Sequence, residues 1–224
     1  MTTRIDSKYR EKILEHTKKY YDELDETDFS HNSDHFFRVE NIAKRISLDE
    51  GADLEVIEAS SLMLDIARGM EDRGEIEDHA EKGAEIARSI MTEIDFPKEK
   101  IEKVCDAILT HRRSKDLEPN SIEGKILRDA DYLDAMGAID VIRVAASSLQ
   151  SKKYKRPIFV DEPYVDNDGM ELASAYHYLI HKVVHPKHQP ENFYSKLGKK
   201  MAEDRLKFSK EYVERLGDEC RGIR

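Results

Sequence analysis

Residues 60–69 read SSLMLDIARG, and a single carboxylate, Asp65, interrupts a run otherwise made of Leu62, Met63, Leu64, Ile66 and Ala67. Such a run belongs in a core, where an ionised carboxylate is costly unless a cation or a set of donors meets it. Outward from this stretch, apolar residues recur about every 3.6 positions from one end of the chain to the other, with no sustained alternation of apolar and polar residues. The periodicity predicts an all-α fold, a compact multi-helix bundle forming one domain over 1–224. Helices are expected at about 7–25, 33–49, 53–68, 77–92, 97–112, 121–149, 171–184 and 191–216. EGAD at 50–53 ends one helix and caps the next, Pro97 suits a first turn, and Gly217 suits the end of the last helix. A continuous helix over 53–68 would set position 64 about 100° round from Asp65.

The chain has 224 residues, 39% of them hydrophobic, with 37 basic against 47 acidic residues and a formal charge of −10. That length supports a sizeable core, and the negative balance argues against a nucleic-acid partner. No apolar run reaches the roughly 18 residues a membrane span needs, and the opening MTTRIDSKYREKI lacks the apolar centre of a signal peptide. A cytoplasmic protein with no membrane partner is expected, its oligomeric state left open. Cys105 and Cys220 are too few for a disulfide framework or a thiolate metal site.

What meets Asp65 is suggested by where the other chelating side chains fall. His35 continues the stripe Val39, Ile42, Ile46; His79 continues Gly83, Ile86, Ile90; His111 closes the stripe Ile101, Val104, Ile108. Asp131 shares a face with Leu127, Asp134 and Ala138. One inward histidine alone reads as a hydrogen-bonded core residue. Five inward chelators on five helices, two of them aspartates, call for a cation, and mixed imidazole and carboxylate donors suit Mn, Fe, Ni, Co or Zn, with Mg also open. His177, His181 and His185 also recur every four residues, but no acidic or cysteine partner accompanies them, and a packed or solvated set is the plainer reading. DNDG at 166–169 lacks the carboxylates of a calcium loop at its flanking positions, Tyr164 and Ala175, and reads as a turn.

The order of His35 in SDHFFRV, Asp65 in LDIARG, His79 in HAEKGAEIA, His111 in ILTHRR and Asp131 in LRDADYLDAMGA resembles the HD superfamily of metal-dependent phosphohydrolases, in particular its small stand-alone archaeal and bacterial members. The likeness runs from about residue 30 to 145, and the tail FYSKLGKKMAEDRLKFSKEYVERL is similar to their closing helices. The resemblance implies an all-helical fold in which a first histidine, a His-Asp doublet and a last aspartate hold one divalent metal. On this chain those are His35, position 64, Asp65 and Asp131, and position 64 is leucine. In members with two metals the doublet aspartate also serves a second site built from later histidines, positions that His79 and His111 match. Three ligands with water in the gap, and a shifted or second site about Asp65, both stand.

An ion with an open position acidifies bound water and polarises a phosphoryl oxygen, so hydrolysis of a phosphate ester or anhydride is the expected reaction. The expected substrate is a nucleotide or another small phosphorylated metabolite. Asp65 and Asp134 are the catalytic candidates; Asp134 suits orienting a water or a ligand, or else an arginine partner in the helix layer. Arg38, Arg112 and Arg113 are the candidate phosphate contacts, since guanidinium forks grip phosphate oxygens. Lys152, Lys153, Lys155 and Arg156 form a second basic cluster on the long segment 150–170. The alternative, which Leu64 favours, is a catalytically impaired HD-like domain that binds metal or nucleotide as a sensor or interaction module.

Overall fold

The computed structural model describes residues 7–24, 33–112, 115, 117–150, 155–166 and 172–224. Among these residues the chain is all-α, with ten α-helices, short 3-10 turns and no strand. It divides into two units, the first made of 1–25 and 31–131 and the second of 26–30 and 132–224.

The first unit holds α1 (Arg10–Tyr21), α2 (Ser33–Glu50), α3 (Leu54–Leu62), α4 (Arg68–Asp72), α5 (His79–Glu93), α6 (Lys98–Thr110) and most of α7 (Ile122–Asp134). α3 is its central element: every residue from 56 to 62 is buried, and α3 lies against α1, α2 and α6. Phe36, Val56, Leu62, Ile66, Met91, Val104 and Ile108 build the core around it. Side-chain caps start the helices that carry the site: Asp53 accepts from the Glu55 N–H at 3.0 Å and Asp78 from the Ala80 N–H at 2.9 Å. Arg10 and Lys44 meet the buried carboxylates of Glu40 and Glu58, so this interior carries matched charge.

The helix expected over 53–68 ends at Leu62. Residues 63–67 close tighter, three-residue turns, with bonds from Met63 N to Ser60 O (3.3 Å), Ile66 N to Met63 O (3.2 Å) and Arg68 N to Asp65 O (2.9 Å). Asp65 thus stands in a turn between α3 and α4, and the helical step between it and Leu64 does not hold. Leu64 itself is wholly buried.

The second unit holds the end of α7, then α8 (Ala138–Gln150), α9 (Ala175–Val184), 3-10 turns at Pro186–His188 and Pro190–Asn192, and α10 (Lys196–Cys220). Val144, Ala175 and Leu179 form its core with Tyr212, Val213 and Leu216. The single helix expected over 121–149 breaks at Gly137, whose φ of +76° no β-carbon-bearing residue adopts readily. Ser174 caps α9 and Ser195 caps α10, so both begin later than the periodicity indicates. Gly217 lies inside α10 instead of ending it: a β-carbon there would come within 2.5 Å of the Tyr176 hydroxyl, so close approach explains that glycine, and Gly222 at φ +69° follows the helix end. Of the basic cluster at 150–170, Lys152 and Lys153 lie outside the described residues, as does DNDG beyond Asp166. No helix among the described residues is long and apolar enough to cross a membrane. Both cysteines are free, and burial pushes the Cys105 thiol up to about 11, which keeps it from acting as a thiolate.

Candidate metal centre

Five chelating side chains of the first unit converge. His35 comes from the first turn of α2, Asp65 from the turn after α3, His79 from the first position of α5, His111 from the residue following α6, and Asp131 from α7. The side chains of His35, Asp65, His79 and His111 are each at most 7% exposed, while that of Asp131 keeps 23%. The two oxygens of Asp65 face different partners. Oδ1 lies 3.2 Å from His79 Nε2 and 3.8 Å from His111 Nε2, and those two nitrogens are 3.4 Å apart. Oδ2 lies 3.5 Å from His35 Nε2, which is in turn 3.3 Å from Asp131 Oδ1.

The hydrogen-bond partners on the far side of two rings fix what these nitrogens offer. His111 Nδ1 donates to the Ile108 carbonyl at 2.6 Å, so the neutral ring turns an Nε2 lone pair toward Asp65. His79 Nδ1 lies 2.6 Å from Glu71 Oε2, and the His79 backbone N–H donates to the same oxygen at 2.7 Å. Two nitrogen lone pairs and a carboxylate oxygen facing one another repel unless a proton or a cation lies between them. Ligand bonds of about 2.0–2.1 Å in tetrahedral geometry imply donor separations of roughly 3.3–3.4 Å, close to those seen. Asp65, His79 and His111 therefore fit a divalent ion, and His35 Nε2 with Asp131 Oδ1 lies on the side of the other Asp65 oxygen.

Burial opposes charge on His79, but the Asp65 carboxylate outweighs it and raises its pKa. Burial dominates at His111, whose pKa is lowered and whose ring is kept neutral despite Asp65 and Asp131. Asp131 is disfavoured as an anion by burial, yet the hydrogen bond and charge of His35 prevail and lower its pKa.

A second group, Glu71, Asp78 and His79, also lies close together, but cations of the chain already meet it. Arg112 Nη1 is 3.1 Å from both Glu71 Oε2 and Asp78 Oδ1, and Lys115 is 3.0 Å from Asp78 Oδ2. Burial would raise the Asp78 carboxyl, but Lys115, the Ala80 N–H and Arg112 bring it down to about 2. Glu71 is likewise held below the usual carboxylate range: burial opposes this, and the His79 N–H and ring with Arg112 outweigh it.

Of the other residues singled out in the sequence, Arg112 is thus engaged with two carboxylates, Arg38 is half-buried on α2, and Arg113 lies outside the described residues. Asp134, in the second unit, is wholly buried; its Oδ2 accepts from Arg143 at 2.7 Å and its carbonyl accepts from the same guanidinium at 2.8 Å. That is the arginine-partner arrangement. Sequence reasoning missed Glu71 and Arg68. Arg68 stands three residues after Asp65 and pairs with Asp72 at 3.2 Å; burial opposes its charge, and Asp65, Asp72 and Glu71 outweigh that and raise its pKa.

Residues 32–136, which carry all five converging side chains, match the family model of the HD domain. This stretch is an HD domain. Along its length the chain is similar to the protein YpgQ of Bacillus subtilis (strain 168), 26% identical over 198 residues that make up 86% of each chain. Among solved structures, a predicted HD superfamily hydrolase from an uncultured Thermotogales bacterium is 29% identical, covering 94% of this chain and 92% of its own, with a TM-score of 0.67. An HD-superfamily hydrolase from Bacillus thuringiensis is 25% identical over 95% of this chain and 98% of its own, also at 0.67. The fold of B. subtilis YpgQ, solved in complex with ADP, is shared at a TM-score of 0.60 and 21% identity, covering 93% of this chain and 96% of that one. The HD domain here has the hydrolase fold of that superfamily.

Proposed function

We propose that this HD domain is a metal-dependent phosphohydrolase acting on a nucleotide or another small phosphorylated metabolite. The observation that carries the reading is the convergence of Asp65, His79 and His111 through one oxygen and two Nε2 atoms, with His35 and Asp131 on the other Asp65 oxygen. A divalent ion held there supplies positive charge that polarises a phosphoryl oxygen and acidifies water. His35 and Asp131, beside the other Asp65 oxygen, would complete the donor set, and Asp131, the most open of the five, is the carboxylate that a water or substrate reaches most readily. Arg38, Arg68 and Arg112 are the candidate guanidinium groups for the phosphate; Arg68 also pairs with Asp72, and Arg112 with Glu71 and Asp78. The ADP bound by YpgQ supports a nucleotide as the substrate class.

Metal analysis of the purified protein, followed by a phosphate-release screen over nucleotides with added Mn, Co, Ni or Mg, tests this. Bound metal with metal-dependent phosphate release is expected; no release with any nucleotide or sugar phosphate overturns it. One observation favours a second reading. Leu64 is a buried leucine at the position where the family resemblance implies a metal-binding histidine, which suits a domain that binds metal and nucleotide without hydrolysis. Thermal stabilisation by metal and nucleotide together, with no phosphate released, would select it.

A further inference from the structure

We propose that Glu71 is a positioning residue of this centre, locking the His79 ring with its proton on Nδ1 and so aiming Nε2 at Asp65. The proposal rests on the reading that His79 is a metal ligand. A single oxygen, Glu71 Oε2, receives both the His79 ring nitrogen at 2.6 Å and the His79 backbone N–H at 2.7 Å. Two anchors on one residue define the plane of its ring, where one would leave it free to swing. An ionised carboxylate can only accept, so Nδ1 must carry the hydrogen and the neutral ring is left with its lone pair on Nε2, 3.2 Å from Asp65 Oδ1. His79 is 2% exposed, so bulk water has little access to compete for Nδ1.

Glu71 is itself held. Arg112 spans its Oε2 and Asp78 Oδ1, tying the last turn of α4 to the cap of α5. The neighbouring ligand needs no such side chain, because His111 is turned by the main-chain carbonyl of Ile108. Glu71 is thus the side chain through which α4 sets the geometry of one imidazole. Carboxylates behind metal-binding histidines orient the ring and raise its basicity, and losing one typically weakens metal binding about ten- to a hundredfold.

Two measurements test the assignment. In the metal-free protein, with His79 neutral, nitrogen-15 NMR should report the Nδ1–H tautomer for wild type and Glu71→Gln, whose amide oxygen still accepts, and lose that preference in Glu71→Ala. In Zn titrations, Glu71→Ala should bind about ten- to a hundredfold more weakly and Glu71→Gln should recover most of the loss. His79→Ala separates the two layers of the argument. If it binds Zn like wild type, His79 is no ligand and the reading beneath the proposal fails. If it loses Zn while Glu71→Ala keeps wild-type affinity and tautomer, Glu71 alone is excluded. Should Glu71→Ala not fold, an Nε2–H tautomer in wild type, or Glu71→Gln binding as weakly as His79→Ala, overturns the proposal.

Discussion

The histidines of α9 and those around Asp65 make an instructive pair, one set in each unit. On α9 the spacing is the regular one that chelates metals, yet the nitrogens that can be traced are met by local partners. His177 Nδ1 faces the Ser174 hydroxyl at 2.7 Å and its Nε2 donates to the Glu162 carbonyl at 3.0 Å. His181 Nδ1 is 2.9 Å from the Tyr164 hydroxyl, and His185 Nδ1 accepts from the Lys187 N–H. Around Asp65 the histidines come from α2, α5 and the residue after α6 with no regular spacing, and each turns an Nε2 toward carboxylate oxygen. Periodicity puts side chains on one face; what distinguishes a metal centre is where the second nitrogen of each ring is spent and whether a carboxylate shares the first.

The contrast breaks most visibly if Asp65 is removed. Wild type should melt higher with added Zn or Mn, by about 2.7 kcal/mol of stability at a hundredfold excess over Kd, and Asp65→Ala should lose the whole shift in a thermal melt. An undiminished shift would move the ion away from Asp65. Next in size, His35→Ala and Asp131→Asn should each lower phosphate release at least about tenfold with helicity unchanged by circular dichroism. Full activity in both would place the hydrolysis elsewhere.

Leu64→His sharpens the comparison from the other side. Adding one neutral nitrogen ligand should tighten Zn by roughly tenfold, about 1–2 kcal/mol, while slightly lowering the melting point of the metal-free protein as a polar ring replaces a buried leucine. Because position 64 lies in a turn, unchanged or weaker affinity would show that its side chain faces away from the donors. A smaller effect is expected at Asp78, whose Asn variant keeps the cap on Ala80 and drops the charge. A carboxyl held down to about 2 contributes stability above the unfolded pKa of about 3.9, and that contribution fades as the pH falls through the folded value. Wild type should therefore out-melt Asp78→Asn at neutral pH and lose the margin between about pH 4 and 2; a gap independent of pH would mean the charge is not what matters. Smallest of all, His181→Gln should leave Zn affinity unchanged, and a clear loss would erase the distinction between the two sets.

Much of this was legible because burying a charge leaves a mark in sequence. Helices were visible through their apolar period, and His35, Asp65, His79, His111 and Asp131 through polar residues standing where the period asks for apolar ones. What stayed hidden are features made by tertiary approach. The end of α3 at Leu62 carries no glycine or proline, since the turn at 63–67 is closed by three-residue backbone bonds that any of its residues can make. Gly217 reads as a stop and is instead the space that lets Tyr176 come close. Glu71 stands eight residues before His79 on a separate helix, and only the folding of α4 back onto the cap of α5 brings its carboxylate to the His79 ring.

The two histidines beside Asp65 Oδ1 also differ in how they would fare under random substitution. The Ile108 carbonyl that turns His111 sits in the last turn of α6, where an α-helix leaves its acceptors unused, and a main-chain atom survives a change of almost any side chain. Its orientation can be lost only if the end of the helix frays. His79 depends on one replaceable carboxylate. Over generations of drift the centre would thus decay first on the His79 side, and a descendant keeping His111 and Asp65 without Glu71 would be the earliest form of its decline.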